Sequence, residues 1–108
     1  MASEKSKIRD ENYYAVFGWM LNVLGLKGGE LLIFAIIYGF SQDQESAFFG
    51  SLSYLEAFTG LSRPTVVSVL NSLEEKKLII KKNFYKGKIK RNSYEVNQEK
   101  VSELLQSG

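Results

Sequence analysis

Three features of the sequence predict an α+β, mostly helical fold. Two apolar-striped helices are joined by a tight turn at Gly60–Ser62. An apolar run, Leu31–Phe40, precedes them. Two extended, lysine-rich segments separated by Gly87 follow. Together these specify a winged helix-turn-helix, a three-helix core with a β-hairpin wing.

The second helix of the pair is the most informative stretch. Ser62 is a candidate N-cap, and Pro64 falls in the first turn, where a missing N–H costs nothing. Val66, Val69, Leu70 and Leu73 recur at i, i+3, i+4 and i+7, a single apolar stripe. The opposite face carries Arg63, Thr65, Ser68, Asn71 and Ser72, with no acid before Glu74. Short polar groups and one arginine suit contact with a nucleic acid. The simpler reading is a surface helix of an ordinary bundle, and the flanking segments shift the balance against it.

In chain order, residues 1–11 read as a flexible tail, polar and mixed in charge. A secretory signal does not fit, because Asp10 and Glu11 precede the apolar stretch and no Ala-x-Ala site follows. Tyr13–Phe17 reads as a strand or extended start and Gly18–Leu24 as a short helix ended by Gly25. Trp19 and Met20 are core or subunit contacts, and the Tyr13–Leu24 segment is the candidate dimer contact. Leu31–Phe40 is too short to cross a bilayer, which takes about 20 such residues. Its length and Glu30 in the first turn favour a buried helix over a buried strand.

Ser41–Ser46 is a polar loop, and Phe48–Gly50 a very short strand able to pair with the later hairpin. The helix that follows has two possible starts. Ser53 and Glu56 form a Ser-x-x-Glu capping box, whereas Ser51 caps a slightly earlier start. Leu52, Leu55 and Phe58 share a face, and Gly60 supplies the left-handed residue that ends the helix. Beyond Leu73, Leu78–Tyr85 and Lys88–Val96 are the hairpin arms. Phe84 and Tyr85 interrupt the lysines and either pack the hairpin or lie along a sugar-phosphate edge. Gln98–Leu105 is a short closing helix with Val101, Leu104 and Leu105 inward. The domain therefore spans 12–97, with 98–108 a short C-terminal helix and tail.

The net charge is only +2, but it is unevenly distributed. Lys76, Lys77, Lys81, Lys82, Lys86, Lys88, Lys90 and Arg91 lie between Lys76 and Tyr94, where there is no acid. All 12 acids lie elsewhere, against the other 6 of 14 bases. A local cationic surface on an acidic body is expected. The bland alternative is a solvated edge hairpin protected by lysine against strand addition. The chain has neither Cys nor His. It also lacks a Gly-Lys-Ser/Thr phosphate loop and clustered carboxylates, so no enzyme, metal or cofactor is expected. A reducing cytoplasm fits the absence of Cys.

Leu26–Ile80 resembles the N-terminal winged helix-turn-helix domain of Gram-positive phage and plasmid replication initiators and replisome organisers, including the DnaD-like primosomal proteins. The resemblance is carried by LKGGELLIFAIIYGFSQD, FFGSLSYLEAFTGLSRPTVVSVLNSLEEKKLI and the basic hairpin. It implies that the helix Arg63–Lys76 enters the major groove and that Lys81–Asn92 touches phosphate or the minor groove. Two residues depart from the family pattern. Lys77 stands where relatives usually have Gly, and Glu56 where a small buried residue is common. Many relatives carry a further C-terminal domain, so this chain is either self-contained or shortened.

The expected partner is double-stranded DNA, with replisome proteins and a homodimer implied and no membrane. The expected contacts are Ser62, Arg63, Thr65, Ser68, Asn71 and Ser72 on the helix, and Lys81, Lys82, Lys86, Lys88, Lys90 and Arg91 on the hairpin. Arg63 is the best base reader, and Ser62 with its neighbouring amides can hold a phosphate. A transcriptional regulator and a protein-interaction module are the alternatives.

Overall fold

The computed structural model describes residues 14–42, 48 and 51–107. The expected tail, most of the expected 41–46 loop, and Phe49–Gly50 lie outside them. The elements are α1 (Gly18–Asn22), α2 (Gly28–Ser41), α3 (Leu52–Thr59), α4 (Arg63–Glu75), β1 (Ile79–Lys86), β2 (Ile89–Val96) and α5 (Gln98–Ser107). This is the winged helix-turn-helix that the sequence predicts, flanked by α1 and α5.

The apolar run forms α2, and Ile33, Phe34, Ala35, Ile36 and Ile37 are all buried along it. Burying a side chain of this size contributes about 1.5–3 kcal/mol. Helix α2 is therefore the post on which the other elements lean. Leu55 of α3 and Val66, Leu70 and Leu73 of α4 close on it from one side. Ile79 and Val96, paired at the base of the hairpin, join the same core. Ser41 ties the end of α2 to the sheet, its hydroxyl donating to Ile37 O and accepting from Val96 N.

The expected pairing with the hairpin is made as an isolated β-bridge at Phe48, whose backbone exchanges two hydrogen bonds with Tyr94. Of the strand or extended start expected at Tyr13–Phe17, the described residues form no strand, and Phe17 has extended backbone. Residues 14–17 belong to no described strand, and the Tyr14 ring packs against Phe40 and Phe58. Helix α1 stops at Asn22, earlier than expected, and Gly25 then turns at φ +72°. Met20 is buried, whereas Val16, Phe17, Leu21 and Val23 are exposed. In α5, Val101 is buried and Leu104 partly so. Leu105 points outward, contrary to expectation.

Two helix starts were open for α3, and Ser51 holds the cap by accepting from Tyr54 N at 3.1 Å. The Ser53–Glu56 capping box is not made, because the helix has already begun at Leu52 and both side chains reach Arg63 instead. Gly60 closes α3 at φ +77°, a conformation that costs a side-chain-bearing residue about 1–2 kcal/mol.

Helix α4 ends in a Schellman motif. Leu78 N donates to Leu73 O and Lys77 N to Glu74 O. Lys77 is the left-handed residue of that motif, at φ +62°. The departure from Gly noted in the sequence thus falls where the backbone most favours Gly. Glu30, in the first turn of α2, accepts from the Ser72 hydroxyl and from Lys76 Nζ at 2.8 Å. Burial raises the Glu30 pKa, but the Lys76 and Ser72 hydrogen bonds and the Lys76 charge outweigh it. Its carboxyl lies below the ordinary value.

Lys77→Gly should raise stability by about 0.5–1 kcal/mol, read as a higher denaturant midpoint, while Lys77→Ala should give no such gain. A depressed carboxyl stabilises the fold above its unfolded pKa and loses that contribution as pH falls through its folded pKa. Glu30→Gln should therefore melt earlier than the parent at pH 7. The difference should narrow as pH drops through 4.5 and below.

Candidate nucleic-acid interface

Helix α4 presents three flanks besides its buried stripe. On one flank, Ser72 is half-buried and its hydroxyl is committed to Glu30. At the helix start, Arg63 reaches back to α3 and contacts Glu56 and Ser53. Between these flanks, Pro64, Val67, Ser68 and Asn71 face outward. Ser62 occupies the N-cap position with extended backbone, but its hydroxyl donates to Thr65 Oγ1 at 3.0 Å and caps no amide. The expected side-chain cap is corrected on that point.

The hairpin bases divide by strand periodicity, because successive side chains point to opposite faces. Register pairs Lys81 with Tyr94 and Tyr85 with Lys90, which puts Lys81 and Lys90 on the face that also holds buried Ile79 and Val96. Lys82 lies on the other face and pairs with Glu95 at 2.6 Å. Lys86 and Lys88 sit at the tip, around a two-residue turn with Gly87 at φ +68°. Tyr85 and Ile89 are also exposed there, at 70% and 59%.

Between helices and hairpin lies a cleft of about 330 Å³. Ser51, Leu52 and Leu55 of the α3 region form one wall, and Val67, Leu70 and Asn71 of α4 another. Lys81, Lys90, Arg91, Asn92 and Tyr94 supply the hairpin wall. Phe48 completes the lining, which contains no carboxylate among the described residues. Tyr94 is shielded from water and lies near Glu74, and both effects hold its phenol neutral by raising its pKa. Lys81, Lys90 and Arg91 have no carboxylate within ion-pair distance among the described residues. The charges of Lys81 and Lys90 are left to the cleft, whereas Arg91, opposite Phe84, has the register of the Lys82 face although it also lines the cleft.

The cleft thus gathers Asn71, Lys81, Lys90 and Arg91 from the twelve expected contacts. Arg63 stands one helical turn before Val67, on the same flank of α4. Ser68 is exposed on the outward face, and Thr65 is exposed seven residues before Ser72, on the Ser72 flank. Ser72 and Lys82 are engaged within the protein, and Lys86 and Lys88 extend beyond the cleft at the tip.

Sequence reasoning missed Val67 and Ser51, and it placed Asn92 only as the end of the hairpin range Lys81–Asn92. Val67 is an apolar residue outside the buried stripe, 39% exposed, and its displacement from that stripe was the available signal. A methyl-bearing group here suits contact with a thymine methyl. Asn92 is opposite Asn83 in the ladder, and only the register reveals which face it occupies.

No described helix is long and apolar enough to cross a membrane. No curated protein matches the chain. The family model for a helix-turn-helix domain matches residues 24–79, from just after α1 to the first residue of β1. That span covers just over half of the chain and takes in both helices of the motif and the post behind them. With both helices of the motif inside the matched span, the chain belongs to the helix-turn-helix domain family.

Proposed function

We propose that this chain binds double-stranded DNA as a replication initiator or replisome organiser of phage or plasmid type, without enzymatic activity of its own. The observation that carries the DNA reading is the carboxylate-free cleft shared by α4 and the hairpin. The replication role is supported by the resemblance of Leu26–Ile80 to that branch of winged-helix proteins.

In this mechanism α4 enters the major groove with Pro64, Val67, Ser68 and Asn71 toward base edges. Lys81, Lys90 and Arg91 neutralise the flanking phosphates and release condensed counterions, giving affinity that falls steeply with salt. Lys86 and Lys88 extend that contact along the backbone. One such unit reads a short site, and a two-fold dimer on a paired site extends it. The apolar residues left exposed around α1, Phe17 and Leu21 among them, are the surface for that dimer. Replisome proteins are the further partners, and the cytoplasm is where such a complex works.

Selecting bound duplexes from a random pool tests the role. Enriched sequences that recur in clusters at the origin of the source replicon support the initiator. Single copies beside promoters indicate a transcriptional regulator instead. The electrostatics are tested separately by the salt dependence of binding. Lys81→Ala with Lys90→Ala should lower the slope of log K against log salt by about 2. Lys82→Ala should change it less, since Glu95 already neutralises that ammonium.

A further inference from the structure

The first residue of α4 is gripped by the helix before it. Arg63 Nε donates to Glu56 Oε2 at 2.5 Å, and Arg63 Nη2 donates to Ser53 Oγ at 2.9 Å. Ser53 and Glu56 are three residues apart, hence neighbours on one face of α3. Together they occupy the side edge of the guanidinium, formed by Nε and Nη2. The end edge, formed by Nη1 and the second hydrogen of Nη2, has no protein partner among the described residues. The Arg63 side chain remains half-exposed, at 52%.

A guanidinium is a planar fork of fixed geometry. Two bonds along one edge set both its position and the direction its other edge faces. The end edge matches the O6 and N7 acceptors that guanine presents in the major groove. We infer that Glu56 and Ser53 are positioning residues, which clamp Arg63 so that its end edge reads a guanine opposite the start of α4. This rests on the DNA-binding reading above and names the base that the site prefers. Glu56 acts through Arg63 and touches no DNA. Because the Glu56–Arg63 pair is neutral as a unit, the clamp governs preference among duplexes more than affinity for duplexes in general.

The departure at Glu56 follows from the same geometry. A small buried residue at this position would leave the Nε side of the fork without an acceptor. The side chain instead lies at the surface, where it can meet the first residue of the next helix.

The test uses the full chain, one duplex enriched by selection and a scrambled duplex of equal length, at one salt concentration. The readout is the ratio of the two affinities. Glu56→Ala should lower that ratio by about tenfold, the scale of one lost bidentate base contact. Glu56→Gln, whose amide oxygen still accepts from Nε, should stay close to the parent. In an Arg63→Ala background, Glu56→Ala should produce no further loss. A ratio unchanged by Glu56→Ala overturns the clamp, as does a loss that persists without Arg63. Equal losses for Gln and Ala also overturn it, because charge rather than geometry would then be responsible. Should Glu56→Ala fail to fold, Ser53→Ala removes the second bond of the clamp and is read by the same criteria. A parent chain that binds no duplex at low salt overturns the DNA reading itself, an outcome distinct from all of these.

Discussion

Enclosure of α2 on nearly every side is the constraint from which the rest of this architecture follows. Ile33 to Ile37 are buried without interruption, so no face of that turn and a half is left to water. A helix of this kind has no stable existence alone and must be covered. Helices α3 and α4 cover one side, and the stem of the hairpin covers another. Because α4 and the stem share one support, the angle between them is fixed by apolar packing. The cleft is the space left between two elements held by a third.

Charge is laid over this frame in a second, separable pattern. Three of the carboxylates that approach the basic residues are each used to hold something. Glu30 joins α2 to the end of α4, Glu95 neutralises Lys82 on the far face of the hairpin, and Glu56 holds Arg63. The bases on the cleft face have no such partner among the described residues. An acidic body and a cationic cleft coexist because pairing is confined to the flanks and the back. A duplex approaching from the front meets unpaired lysines and a recognition helix with no acid in its first three turns.

Much of this was legible in the sequence, where local rules decide the outcome. The i, i+3, i+4 stripe located the buried face of α4, Gly60 marked the end of α3, and Gly87 marked the hairpin turn. Contacts between residues distant in sequence were not legible. Nothing near Ser72 indicates that a glutamate 42 residues earlier takes its hydroxyl. The hairpin bases read as one cationic surface because composition carries no register. Only the pairing of Lys81 with Tyr94 divides them between two faces. The α3 cap was ambiguous for a local reason, since Ser51 and Ser53 are both good caps. Ser51 takes the cap, and Ser53, already inside the helix, accepts from Arg63 ten residues beyond it. Val67 was passed over because it matched neither the apolar stripe nor the polar face.

Asn97 closes the stem of the hairpin. Its backbone N–H donates to Leu78 O, its amide donates to Lys77 O, and its Oδ1 accepts from Lys100 N at the start of α5. One residue thus staples the point where the chain leaves α4 to the point where it returns from β2. With both ends of the wing fastened at a single knot, its reach is set by the body of the protein. If the chain binds a duplex as proposed, a site whose groove spacing differs from that reach would have to bend or untwist to fit. Sequences that deform easily would then be favoured at base pairs no side chain touches.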